Sequence, residues 1–329
     1  MITKVLSFAL EWPVSMTTFL NKTKVFLGVD IGGTKIRWAL CGEGRVLYGD
    51  TSVTHKGKEA LWGSIQALFI EAGRVVKARG WEFFPQVGIA TPGKLIGPSR
   101  HIISRGSARN LESFETEFDN LDMAVFLGPI FPKKWVVKIE NDAIAQMKGG
   151  LTQLKEGAVP GKWGYVGPGT GLGGGFATVQ AHGDIEVYTD GHIYDIALQN
   201  SQGRWQSAED LISGRAFFEK TGVLAQDAPL DHPYILEMAG YLEQLLEKLF
   251  EGHIQKISAD NNWSEPECAR VKGTTHFLMG GSLGSNTPFS AMFLKKIETR
   301  FRLFSVPNRE TAPFLGMYNV DAYPSSSYA

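Results

Sequence analysis

Apolar residues along this chain fall in short runs that end on glycine or an acid, separated by stretches with helical spacing. The run at 24–30 closes on Asp30, and strand character resumes at 36–41 beyond a glycine-rich turn, the pattern of a hairpin. A third strand is expected at 45–48. Between 59 and 77, Leu61, Ile65, Leu68, Phe69, Ala72 and Val76 recur at three- and four-residue intervals, which places them on one helical face. Strands are expected at 86–90, leading into Thr91-Pro92-Gly93, and at 136–139, closing on Glu140-Asn141-Asp142. A helix then begins near Ala143.

The second half repeats the theme without repeating the sequence. An apolar run at 163–167 enters Gly169-Thr170-Gly171-Leu172-Gly173-Gly174-Gly175 and leaves as a strand at 176–179. An amphipathic helix is expected over 234–250, with Leu236, Ala239, Leu242, Leu246 and Leu249 inward. His276-Phe277-Leu278-Met279 then meets Gly280-Gly281-Ser282. Two halves that each set a glycine-rich hairpin near the start of an α/β unit predict two similar domains facing across a cleft.

The chain has 329 residues, 43% of them hydrophobic, enough for a large core divided between two domains. Lys and Arg number 33 against 34 Asp and Glu, a balance with no long-range field to recruit nucleic acid or an anionic membrane. Small-molecule partners are therefore expected. Cys41 and Cys268 are the only cysteines and form no C-x-x-C pair, which argues against a disulfide framework or thiolate zinc site and favours a reducing cytoplasm. The apolar stretch 5–10 is short, broken by Glu11 and Pro13, and reads as part of an N-terminal extension over 1–23 rather than a signal peptide. No run is long enough for a membrane span.

Asp30-Ile31-Gly32-Gly33-Thr34-Lys35 puts an acid at a strand end and two glycines where backbone N–H groups can approach an anion. Thr34 and Lys35 add donors, and Asp30 can act on phosphates through a magnesium ion and its waters. A plain hairpin with an Asp beside it is the bland alternative. Gly169-Thr170-Gly171 and the glycines after it suit a phosphate cradle or a flexible loop; no Gly-Lys-Ser/Thr follows, so this is not a Walker A loop. Gly280, Gly281 and Ser282 form a turn that can rest adenine and ribose against backbone, or simply join a strand to a helix. Asp142 is placed either to cap a helix or to take a hydroxyl proton during phosphoryl transfer.

In this order and spacing, from about residue 24 to about 317, these motifs resemble the ROK family of sugar kinases, close to the glucokinases. The resemblance implies an α/β two-domain actin-like ATPase fold of the ribonuclease H-like type, with an interdomain cleft. It implies a small domain over 24–139, a large one over 140–311, and a closing segment 312–329, helical near 312–317, that packs back on the first. The hinge is expected beside Asp142. ATP and Mg²⁺ are the implied cofactors, with Asp30 (to magnesium, through water), Gly32, Gly33, Thr34, Lys35, Gly169, Thr170, Gly171, Gly280, Gly281 and Ser282 around the nucleotide. Asp142 would be the general base. Asn110, Asn141, His192 of the Gly191-His192 pair, and Glu209 would bind a hexose such as glucose, phosphorylated at C6 by the same resemblance. A homodimer is implied too.

Three departures from the family pattern change what is expected. Residues 193–208 hold no cysteine where many members carry a zinc motif, so no structural zinc is expected. Thr189 stands where an acid usually precedes the Gly-His pair, with Glu186 and Asp190 nearby, which alters recognition around C1 and C2 of the sugar. Arg105 and Arg109 flank Asn110; they either favour an acidic or phosphorylated sugar or face water. The family's repressors carry an N-terminal helix-turn-helix domain, and the stretch before Lys24 is too short for one. A catalytically silent sugar sensor and a phosphotransferase for a non-sugar acceptor are the rival readings.

Overall fold

The computed structural model describes residues 22–97, 99–108, 110–114, 116–154, 157–188, 192–229, 232–258, 262–284, 290–291 and 301–318. The expectations for residues before 22, for Arg109, for Thr189, Asp190 and Gly191, and for the polar tail lie outside them.

The first sheet forms from β1 (Lys24–Ile31), β2 (Lys35–Gly42), β3 (Arg45–Val53), β4 (Glu82–Thr91) and, after a small hairpin of β5 (Leu95–Ile96) and β6 (Ile102–Ile103), β7 (Val136–Asn141). Its order is β3-β2-β1-β4-β7, with β1, β4 and β7 parallel and the hairpin strands antiparallel. Helices α1 (Lys58–Arg79) and α2 (Met123–Leu127) belong to the same half.

The second half opens with α3 (Asp142–Thr152) and builds a sheet from β8 (Gly161–Pro168), β9 (Leu172–Val179), β10 (Ile185–Val187), β13 (His276–Met279) and β14 (Arg302–Ser305). Between β10 and β13 come the two-stranded β11 (Ala197–Gln199) and β12 (Trp205–Ser207), then α4 (Glu209–Ile212), α5 (Gly214–Thr221), α6 (Pro233–Glu251) and α7 (Glu265–Val271). A short α8 (Gly281–Gly284) follows β13, and α9 (Ala312–Met317) comes last. The order β10-β9-β8-β13-β14 reproduces the first sheet strand for strand: a central strand, two antiparallel strands on one side and two parallel ones on the other. The fold is thus a duplicated α/β unit.

β1 is buried on both faces, and its alternation decides what each face meets. Val25, Leu27, Val29 and Ile31 pack with Leu61, Ile65 and Leu68 of α1, while Phe26 shares a cluster with Ala39, Cys41, Phe314 and Met317. Strand period thus puts Asp30 on the side of α9. In the second sheet α3 covers one face through Ala143, Ile144 and Met147, and α6 the other through Ile235, Met238 and Leu242. Leu236, expected inward, is 46% exposed; Ala239, Leu242, Leu246 and Leu249 are buried as expected, and Ile235, Met238 and Leu245 widen the buried face.

Helices α3 and α9 touch backbone to backbone. A Cβ on Gly149 would fall on the carbonyl of Ala312, and one on Gly316 would fall on the carbonyl of Ala145. Only glycine permits that approach. No helix among the described residues is long and apolar enough to cross a membrane.

Candidate functional site

Asp30, the penultimate residue of β1, is buried and faces Arg37, its register partner on β2. Arg37 donates to Oδ2 from Nε (2.9 Å) and Nη2 (2.5 Å), and its Nη1 donates to Glu310 Oε2 at 2.5 Å. The guanidinium also lies 5.9 Å from the centre of the Phe314 ring. Burial nonetheless pushes the Asp30 carboxyl above the ordinary carboxylate range, against the pull of Arg37.

The helix cap that sequence left open falls to Asn141. Its Oδ1 accepts from the N–H groups of Ala143 (3.0 Å) and Ile144 (3.2 Å), and its Nδ2 donates to the Gly93 carbonyl at 3.0 Å. Asp142 is therefore the first helical residue, half-buried, with Oδ1 accepting from the Ala143 N–H at 2.8 Å. Burial, and then the negative charge of Asp30, raise its carboxyl to about 7. Tyr165 on β8 feels both acids; burial and Asp142 push its phenol upward, and its hydroxyl donates to Gln146 Oε1 at 2.7 Å. Asp30 near the end of β1, Asp142 just after β7 and Tyr165 within β8 thus bring both sheets to one pair of carboxylates.

Both glycine turns partly bond to themselves. Gly32 N–H donates to Lys35 O (2.9 Å) and Gly169 N–H to Gly171 O (2.8 Å). Thr54 pins the first turn from outside, its hydroxyl donating to Gly32 O at 2.7 Å. Thr34 and Lys35 are exposed. Gly169 packs beside Gly281 and Ser282 at the start of α8, so a built Cβ would lie 3.7 Å from the Ser282 nitrogen. Gly280, the residue between β13 and α8, lies against the Tyr165 hydroxyl, which a Cβ there would strike. Its N–H donates to Val166 O at 3.0 Å. The second and third motifs are therefore one surface.

Asn110 is exposed and lies against the first turn: a Cβ on Gly33 would come within 3.1 Å of the Asn110 Cβ. Glu209 opens α4 against the second turn. Its Oε2 accepts from Leu172 N–H at 2.9 Å, and a Cβ on Gly171 would approach the same oxygen to 2.6 Å. His192 is buried, with its ring centre 5.3 Å from that of Tyr194, whose carbonyl accepts the Glu209 N–H at 2.8 Å. The structure thus groups Asp30 with Asp142, Asn110 with Gly33, Glu209 with Gly171, and Gly169 with Ser282. His192 joins through Tyr194.

Of the other residues weighed from sequence, Arg105 is largely exposed and pairs with Asp119 at 3.6 Å. Glu186 is exposed on β10, where Oε2 accepts from Gln180 Nε2 at 3.2 Å. Residues 193–208 hold the β11–β12 hairpin. Sequence reasoning missed Arg37, Glu310, Tyr165 and Arg215. Only Arg37 carried a usable signal, since a hairpin turning at Gly32 and Gly33 sets it opposite Asp30.

No family model matches the sequence, and no curated protein does. Solved structures do match. A ROK hexokinase from Thermus thermophilus is similar at 21% identity and a TM-score of 0.59, over 89% of this chain and 96% of that one. An inorganic polyphosphate/ATP-glucomannokinase from an Arthrobacter strain is similar at 19% identity and a TM-score of 0.60, over 89% and 96%. A ROK-family transcriptional regulator, homologous to the E. coli MLC protein, is similar at 12% identity and a TM-score of 0.62, over 90% of this chain and 78% of the regulator. At these identities the likeness establishes the fold alone, a two-unit α/β architecture shared with these structures.

Proposed function

We propose that the chain is an ATP-dependent sugar kinase of the ROK type, transferring the γ-phosphoryl group to a hexose hydroxyl, at C6 by the family resemblance. The observation that carries this reading is Asp142: a carboxyl held at about 7, next to Asp30, at the junction of the two units. The hydroxyl proton passes to Asp142 as the new O–P bond forms and the bond from the γ-phosphorus to ADP breaks. A base with that pKa is about half ionised at neutral pH, ready to accept a proton and to give it up again.

The Asp30 carboxyl, raised by burial, suits a divalent cation held through its waters. Both Arg37 bonds fall on Oδ2 of Asp30, which leaves Oδ1 for a magnesium-bound water. Magnesium supplies charge neutralisation for the β- and γ-phosphates. Because the N–H groups of Gly32 and Gly169 are spent inside their turns, phosphate donors come from Gly33, Thr34, Thr170 and Gly171, with Lys35 as a flanking cation. Gly280, Gly281 and Ser282 receive the nucleoside side. Asn110, Asn141, His192 and Glu209 receive the sugar; Asn141 keeps one amide hydrogen for it beyond the bond to Gly93.

An ADP-release assay with Mg-ATP against glucose, mannose, fructose and N-acylated aminosugars, with a no-sugar control, tests the reading. Stimulation by one sugar supports it. A silent sugar sensor is the second reading, favoured by the likeness to the regulator, and sugar binding with no ADP release from any member of the panel would select it.

A further inference from the structure

Glu209 is tied to the second glycine turn by more than proximity. Its Oε2 accepts from Leu172 N–H at 2.9 Å, and its Oε1 accepts from Arg215 Nη2 at 2.7 Å. Arg215 is the second residue of α5, and its own backbone N–H donates to Thr170 O at 3.3 Å, while the N–H of Gly214 donates to Gly169 O at 2.7 Å. These four bonds close a ring through turn, carboxylate, guanidinium and helix start. Asp210 and Glu219 also face the guanidinium, at 3.7 and 3.9 Å, but both are more exposed than Glu209.

A carboxylate has about four lone-pair positions. Leu172 and Arg215 occupy two of them, one on each oxygen, which fixes the plane of the group and leaves two to accept sugar hydroxyls. Without Arg215, Oε1 would lose its charged donor, and the side chain would have to be ordered at the moment of sugar binding. Because Arg215 and Glu209 are both bonded to residues 169–172, anything that settles that turn also settles the carboxylate.

We infer that Arg215 is a positioning residue for sugar recognition, holding Glu209 in place and coupling sugar affinity to nucleotide occupancy of the second glycine turn. The inference rests on the sugar-kinase reading, and specifically on Glu209 meeting sugar. It requires no contact between Arg215 and either substrate.

The test uses the full chain and the variants Arg215→Met, Arg215→Lys and Glu209→Gln, each checked for a wild-type melting profile. Glucose and mannose are titrated by calorimetry with and without the non-hydrolysable analogue AMPPNP, and KM and kcat are measured separately. Arg215→Met is expected to weaken sugar binding about tenfold, the loss of one charge-assisted hydrogen bond. Its kcat and its affinity for AMPPNP should stay within about threefold of wild type. The tightening of sugar binding by AMPPNP should shrink in Arg215→Met and partly return in Arg215→Lys. Unchanged sugar affinity and unchanged coupling in Arg215→Met would overturn the inference. So would wild-type sugar affinity in Glu209→Gln, which removes its premise. Absence of ADP release in the wild type would instead overturn the kinase reading, since the calorimetric arm needs no turnover.

Discussion

Asp30 and Arg37 face each other across β1 and β2, and both of the hydrogen bonds between them fall on a single carboxylate oxygen, Oδ2. That asymmetry gives one oxygen to the protein and keeps the other for solvent, metal or substrate. Glu310 completes the arrangement from the far end of the chain, fixing the third nitrogen of the guanidinium.

Replacing Arg37 with Met removes the only cation bonded to Asp30 among the described residues and leaves Asp30 beside Asp142 without compensation. Arg37→Met should destabilise the protein by about 2–3 kcal/mol at pH 7. Urea denaturation measures this. In the double variant with Asp30→Asn most of that cost should vanish, because no buried charge is then stranded.

Asp142 sets two pH dependences. As the proposed base it must be ionised, so kcat/KM for sugar should rise with pH and level off above about 7, and Asp142→Ala or Asp142→Asn should lower kcat by about 10²–10⁴ while AMPPNP binding persists. ADP release and calorimetry separate the two effects, and full activity in either variant would remove Asp142 from the mechanism.

In stability the sign is opposite. Its carboxyl in the folded chain is raised from 3.8 to about 7, so the folded state holds that proton more tightly than the unfolded one, and stability is lost as pH rises through this window. Asp142→Asn, which cannot ionise, should match wild type below pH 4 and exceed it above pH 7, by up to about 4 kcal/mol before screening by solvent. Thermal melts at pH 4 and pH 8 give the comparison.

Asn141 serves the helix through Oδ1 and reaches Gly93 through Nδ2. Asn141→Ala should cost about 1 kcal/mol for the lost cap, and Asn141→Ser, which can still cap, only a few tenths. If Asn141 also meets sugar, both variants should raise the KM for sugar equally; a KM that follows stability alone would confine the residue to capping.

Gly149→Ala puts a methyl group onto the Ala312 carbonyl and should force α3 and α9 apart. A loss of about 2–4 kcal/mol is expected, far above what alanine normally costs in a helix, where it is favoured. Gly73→Ala in α1, where a Cβ meets nothing within 4 Å, is the control and should be neutral or stabilising.

The sequence was most readable where burial is two-sided. The apolar runs of β1, β2 and β8, the stripe of α1, and the hairpin glycines stand out because both faces, or one whole helical face, must be apolar. β3 continues through Gly49-Asp50-Thr51-Ser52 to Val53, a polar sheet-edge stretch that has no core to declare itself by. β4 starts at Glu82 in spite of Pro85, because its ladder with β1 shifts register between Val25 and Leu27, where the proline needs no bonded N–H. At the site, strand-end motifs such as Asp30 and Asn141-Asp142 were legible from local pattern. The pairing of Glu209 with Arg215 was not, since the two lie on separate short helices divided at Ser213, and their contact depends on the turn between them and the glycines at 169–172.

The placement of α9 also governs how such a chain can be made. Phe26, Ala39, Cys41 and Ala90 lie on a face of the first sheet that Phe314 and Met317 cover, yet α9 follows every other described element in chain order. As the protein leaves the ribosome, the first sheet can pair its strands and dock α1 long before that cover exists. Its second apolar face must therefore stay out of reach of other nascent chains until residues 312–317 have been made, which makes the docking of α9 the step that ends this window for aggregation.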